Sequence, residues 1–127
     1  MPFVRIFHPA NSDTAYSNAL GQGVHHALVS AFGIPENDYF QVVTRHDPGT
    51  ELRSPPDFLG IHHSPALVIV QITCAEGRSA EQKKALYKQI VQNLGNDAGV
   101  PGADVVISLV ETRRENWSFG NGEAPFA

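Results

Sequence analysis

The chain has 127 residues, enough for one hydrophobic core and too few for two. Its composition is that of an ordinary globular protein, and a formal net charge of −4 with no basic run argues against nucleic acid or an anionic membrane surface as partner. The single cysteine, Cys74, forms no internal disulfide and fits a reducing compartment; with no signal peptide and no apolar run long enough to cross a bilayer, a cytoplasmic protein is expected.

Met1-Pro2-Phe3-Val4-Arg5-Ile6-Phe7 reads as a strand that begins on a proline, because Phe3, Arg5 and Phe7 alternate with Val4 and Ile6. Proline tolerates a strand's first position, where no ladder donor is needed. Methionine is normally trimmed ahead of proline, and Pro2 would then carry a free secondary amine on a rigid ring. An α-amino group titrates near ~8, so modest burial brings it to working pH as an acid or base. Both readings of Pro2 stand at this point.

After His8-Pro9-Ala10-Asn11 breaks the strand, Ser12 is the expected N-cap of a helix. Tyr16, Leu20, Val24, Ala27, Leu28 and Ala31 recur at helical spacing, and Gly33 followed by Pro35 ends it. Tyr39 to Thr44 is a short strand. From His46 to Pro65 the chain is expected to be loop, and a loop of that length usually serves function. Ala66 to Thr73 is a nearly continuous apolar run, as a central strand requires. Ser79 and Gln82 form a capping box that opens a second helix, with Leu86, Ile90, Val91 and Leu94 as its buried stripe and Lys83, Lys84 and Lys88 as a solvated flank. Val105 to Val110 is the next strand, and Asn121-Gly122 in the tail signals a C-terminal hairpin.

The two halves match. Gly33-Ile34-Pro35-Glu36-Asn37-Asp38 and Gly99-Val100-Pro101-Gly102-Ala103-Asp104 each follow a helix and lead into a strand, with glycine, proline and aspartate at one offset (99−33, 101−35, 104−38). The pattern predicts an α/β fold of two tandem β-α-β units, joined into a four-stranded mixed sheet with both helices on one face. The other face is left bare, which predicts self-association.

Pro2 at a strand start, the doubled plan and the chain length resemble the tautomerase superfamily, whose members use an amino-terminal proline in catalysis. The resemblance is closer to the malonate semialdehyde decarboxylase-like branch. It is carried by Ala31-Phe32-Gly33-Ile34-Pro35-Glu36-Asn37-Asp38, by Gly77-Arg78-Ser79 with Glu81-Gln82-Lys83, and by Asp104-Val105 through Trp117-Ser118-Phe119-Gly120. It implies one tautomerase-like domain over residues 1–127, a homotrimer, and neither metal nor organic cofactor. It puts the catalytic proline on Pro2, its partner aspartate on Asp38, the substrate-carboxylate arginine on Arg78, and the aromatic pocket wall on Trp117, Phe119 and Phe126. The decarboxylase has two arginines flanking a proline where this chain reads Glu76-Gly77-Arg78, so only the second is kept. The Glu-Gly-Arg-Ser order also resembles the cis-3-chloroacrylate dehalogenase branch, which has a further arginine where this chain has Ala75.

Read on their own, these residues keep plainer alternatives. Asp38 could simply finish a turn before a strand, a role equally open to Asp104 at the same place in the second repeat. Arg78 could be a surface charge beside a helix cap, although a guanidinium at a helix N-terminus is also what grips a carboxylate. Trp117, Phe119 and Phe126 could be core or interface aromatics. The six histidines lack His-x3-His or Cys–His spacing, so no metal site is expected. The expected activity is keto-enol tautomerisation of a small 2-oxo or enol carboxylate with Pro2 as general acid/base. The alternatives are decarboxylation of a 3-oxo acid such as malonate semialdehyde, or a non-catalytic trimeric binding protein.

Overall fold

A computed structural model describes residues 1–127. Strand β1 (Phe3–Pro9) leads to helix α1 (Thr14–Phe32) and strand β2 (Phe40–His46). A two-residue strand pair follows, β3 (Asp57–Phe58) and β4 (Ile61–His62), then β5 (Val68–Ala75), α2 (Ala80–Ala98) and β6 (Val105–Thr112). The main sheet runs β2-β1-β5-β6. Each repeat contributes a parallel pair, β1 with β2 and β5 with β6, and the repeats meet where β1 lies antiparallel to β5. This is the doubled β-α-β plan expected from the repeat.

One face of the sheet is covered. Val4 and Ile6 of β1 and Val68, Val70, Ile72 and Cys74 of β5 are buried in one cluster with Leu20, Val24 and Leu28 of α1 and Leu86, Ile90 and Leu94 of α2. The helices approach closely where α1 has Gly23, since a Cβ there would fall 2.9 Å from Leu94 Cδ2. Asn93 uses that access to donate its side-chain amide to the Gly23 carbonyl at 2.9 Å. Burial pushes the Cys74 thiol up, against the opposing pull of Arg78, as suits a small core residue.

The other face carries no helix. Register places Phe40, Val42 and Thr44 beside Phe3, Arg5 and Phe7, then Thr73, Gln71 and Ile69, then Val110, Ser108 and Val106. Phe40, Val42 and Val110 are exposed, so apolar surface lies open on this face, at the end of the polar row Arg5–Gln71–Ser108 and in the row beside it.

Several local details depart from the sequence expectations. Ser12 does not cap α1: its hydroxyl donates to the Pro9 carbonyl at 2.9 Å, and Asp13 caps instead by accepting from the Tyr16 amide. The stretch from His46 to Pro65 is not all loop, because β3 and β4 pair across Leu59-Gly60. Both turn residues have positive φ (51° and 78°), and leucine gives no sequence warning of that conformation. In the tail the reverse holds. Asn121-Gly122 makes its turn, closed by Glu123 N–H to Gly120 O at 3.1 Å, but no strands pair beside it, so the C-terminal hairpin is reduced to a turn. Lys83 is not on a solvated flank: its ammonium reaches Glu111 of β6 at 2.8 Å. That bond raises the lysine pKa and lowers the carboxylate's, and it ties the start of α2 to the end of β6.

His8 is fully buried under α1. Its Nδ1–H donates to the Pro9 carbonyl at 3.0 Å, which leaves Nε2 to accept from the Ser17 hydroxyl at 2.8 Å. Burial lowers its pKa and outweighs the Pro9 bond, with Arg45 and His46 adding to the lowering. The unfolded chain therefore takes up this proton at a higher pH than the folded one. Stability contributed by neutral His8 is complete above about pH 6.5 and declines as the pH falls towards the folded pKa. Melting temperature followed from neutral to acid pH should show this decline, and the His8→Gln variant should show a shallower one.

Candidate active site

The cavity that gathers the chemistry opens at the end of the sheet where β1 begins and β5 ends. It has a volume of about 500 Å³, and Met1, Asp38, Glu76, Arg78, Arg114 and Phe126 are in its wall. The turn that ends α1 delivers Asp38. Gly33 stops the helix at φ 68°, Pro35 follows, and the Asp38 amide closes back on the Pro35 carbonyl at 3.0 Å. The carboxylate then points at the chain terminus, where the Met1 ammonium donates to Asp38 Oδ2 at 2.8 Å.

The repeat explains why. Asp104, the matching residue, is buried and accepts from the Ser64 amide at 2.7 Å and the Ser64 hydroxyl at 2.6 Å, just ahead of β5. In each repeat the aspartate holds the chain that enters the repeat's first strand. In the second repeat it meets an internal amide and a hydroxyl; in the first it meets a free amine. One position thus serves structure in one half and presents charge in the other. Asp104→Ala should lower stability by roughly 1–3 kcal/mol in denaturant unfolding, since it removes a buried acceptor and leaves the half-buried Ser64 donors without a partner. Asp38→Ala should cost less than about 1 kcal/mol, because its pair is partly open to solvent, and should instead lower turnover.

Arg78 is held by its own loop. Its Nη1 donates to the Ala75 carbonyl at 3.0 Å, and its guanidinium carbon stands 4.8 Å from the Phe32 ring centre. Ser79 behind it caps α2, with the reciprocal Ser79–Gln82 bonds in place. The guanidinium forms no ion pair, so most of its donors remain free beside the positive end of α2.

Two expectations need adjustment. Pro2 is buried behind Met1, and it is Met1 that stands in the cavity wall; with Met1 attached, the Pro2 nitrogen is an amide. Of the three aromatics, only Phe126 faces the cavity. Trp117 and Phe119 stack at 5.5 Å and 10°, Phe119 meets Phe126 edge-on at 6.0 Å, and it also meets Phe40 of the bare sheet face at 5.5 Å. They form a ridge running from the cavity to the open face. Arg114 is in the cavity wall but lies in a run of charges, Arg113-Arg114-Glu115, whose spacing gives no functional signal. No helix is long and apolar enough to cross a membrane.

Comparison with known proteins identifies the family and the fold. Residues 38–120 match the family described as "Tautomerase enzyme". The probable tautomerase YusQ of Bacillus subtilis strain 168 is 34% identical over 124 residues, covering 98% of this chain and 97% of that protein. A malonate semialdehyde decarboxylase, studied for its decarboxylase and hydratase activities, superposes with a TM-score of 0.88 at 35% identity, over 98% of this chain and 95% of that one. At the level of fold alone, a fused 4-OT described as a symmetric trimer superposes with a TM-score of 0.77 at 20% identity, over 95% and 94% of the two chains. The chain belongs to the tautomerase superfamily of enzymes, and within it is similar to malonate semialdehyde decarboxylase.

Proposed function

We propose that the mature chain begins at Pro2 and that its secondary amine is the general acid/base for keto-enol tautomerisation of a small 2-oxo or enol carboxylate. The observation that carries this reading is the ion pair between the chain's terminal amine and Asp38 in a cavity that also holds an unpaired Arg78. With Met1 removed, the nitrogen of Pro2 becomes the terminal amine and faces the space that residue leaves.

Two influences act on that amine. Asp38 favours its ammonium form, whereas the apolar surface of Ile34 and Phe126 favours the neutral one. A neutral amine removes the enol proton; the resulting ammonium returns a proton to carbon, and the base is regenerated. Arg78 takes the substrate carboxylate in a two-point grip and fixes the reacting carbon near the nitrogen. No step requires a metal or an organic cofactor.

A second reading is decarboxylation of a 3-oxo acid, favoured by the likeness to malonate semialdehyde decarboxylase over 98% of the chain. In it the ammonium polarises the carbonyl oxygen while Arg78 holds the departing carboxylate. Glu76 in the cavity wall weighs against it, since the decarboxylase carries the first of its two arginines where this chain has that acid. The bare sheet face, with exposed Phe40, Val42 and Val110, supports a homotrimer, which would also bring neighbouring chains to the Trp117–Phe119 ridge.

Enol-to-ketone conversion of a phenylpyruvate-like enol and carbon dioxide release from malonate semialdehyde, measured on one preparation, separate the two. Conversion without release supports tautomerisation, and release without conversion supports the decarboxylase. Neither, across a panel of oxo acids, favours a binding protein.

A further inference from the structure

The cavity holds two guanidiniums, and neither has a carboxylate partner. Arg78 gives one Nη to the Ala75 carbonyl and forms no ion pair, while Arg114 forms neither an ion pair nor a side-chain hydrogen bond. Its neighbour Arg113 behaves as an ordinary surface charge and approaches Glu115 at 3.8 Å. The short 3-10 turn Arg114–Asn116 separates the two arginines: Asn116 N–H closes on the Arg113 carbonyl at 3.0 Å, and only Arg114 belongs to the cavity wall.

Arg114 is also held in place. The Glu76 amide donates to the Thr112 carbonyl at 2.8 Å, and Thr112 Oγ1 donates to the Cys74 carbonyl at 3.2 Å while accepting from Trp117 Nε1 at 2.8 Å. Thr112, just before Arg114, is therefore tied to the end of β5 that leads to Arg78, and Trp117, just after it, is tied to Thr112. Two carboxylates stand in the same wall. Asp38 is engaged by the terminal amine, which leaves Glu76 alone against two free guanidiniums. An uncompensated pair of planar, permanently charged forks in one cavity fits a ligand with two anionic ends.

We infer that Arg114 is a second carboxylate-binding group of this cavity, and that the site prefers a small dicarboxylate to a monocarboxylate. Arg78 takes the carboxylate next to the reacting carbon and Arg114 takes the distal one. This rests on the reading of the cavity as an oxo-acid site and narrows its substrate class. Arg114 is then a specificity-determining residue: it adds affinity for one end of the ligand and takes no part in proton transfer.

Calorimetric titration with glutarate and with butyrate tests this without any turnover. The untouched protein should bind glutarate about tenfold or more tightly than butyrate, the gain expected of one charged hydrogen-bonded contact. Arg114→Gln should bring glutarate down to the level of butyrate and leave butyrate unchanged. Arg113→Gln, an exposed neighbour outside the cavity wall, should keep the preference. Equal binding of the two acids, no binding of either, or equal weakening of both by Arg114→Gln overturns the inference. Enol turnover is assayed separately: a retained glutarate preference with no turnover counts against the acid–base reading and leaves this one standing.

Discussion

Replacing Pro2 with alanine is expected to lower enol-to-ketone turnover by about 10²–10⁴-fold, the contribution of a well-placed general acid/base. Alanine also permits removal of the preceding methionine, so the variant still begins with an amine in the same place. What it loses is the ring. A primary amine on a freely rotating residue no longer holds one direction towards the substrate, and its proton affinity differs from that of a secondary amine. The strand should survive, because the β1 ladder pairings begin at Phe3 and lean on Val4 and Ile6. Circular dichroism and melting temperature close to those of the unaltered protein, alongside lost turnover, separate chemistry from folding. Turnover within a few-fold of the unaltered protein would remove Pro2 from the mechanism.

Arg78→Ala should raise KM for every carboxylate substrate by about 10–100-fold, the worth of a charge-assisted contact to a carboxylate. The cost to stability should be about 1 kcal/mol or less, since the guanidinium's packing partner is the Phe32 ring and its one hydrogen bond is to a carbonyl. Arg78→Lys restores the charge but not the planar fork, and it should recover only part of the loss. Steady-state kinetics on monocarboxylate and dicarboxylate enols distinguish this residue from Arg114. Arg78 variants should weaken both substrate classes, whereas Arg114 variants should weaken only the second. An unchanged KM in Arg78→Ala would return this arginine to the role of a surface charge beside a helix cap.

The features legible in the sequence were those fixed by short-range chemistry. The capping box at Ser79 and Gln82, the glycine stop at Gly33, the apolar alternation of β1 and the apolar run of β5 all depend on neighbours a few residues away. The repeat carried the topology, because two copies of one β-α-β unit leave few ways to join a sheet. Where the expectation failed, a competing contact or a missing partner decided the outcome. Ser12 was committed backwards to Pro9, which left the cap to Asp13. Lys83 found Glu111 across the fold, and Asn121-Gly122 made its turn with no strand on either side to pair. The site divides the same way. Asp38 and Arg78 come with motifs, whereas Arg114 enters the cavity only because Thr112 and Trp117 fix the segment around it. The resemblance implies Trp117 and Phe119 as pocket wall, and within one chain their stacking runs from Phe126 towards Phe40 and the bare face.

Intact-mass analysis of the purified, catalytically active protein is the most direct examination of the free secondary amine. A mass short by one methionine residue, with an amino-terminal sequence of Pro-Phe-Val, is the predicted result. Full activity in a chain that still carries Met1 would contradict it, since the nitrogen of Pro2 would then be an amide with no proton to give or take.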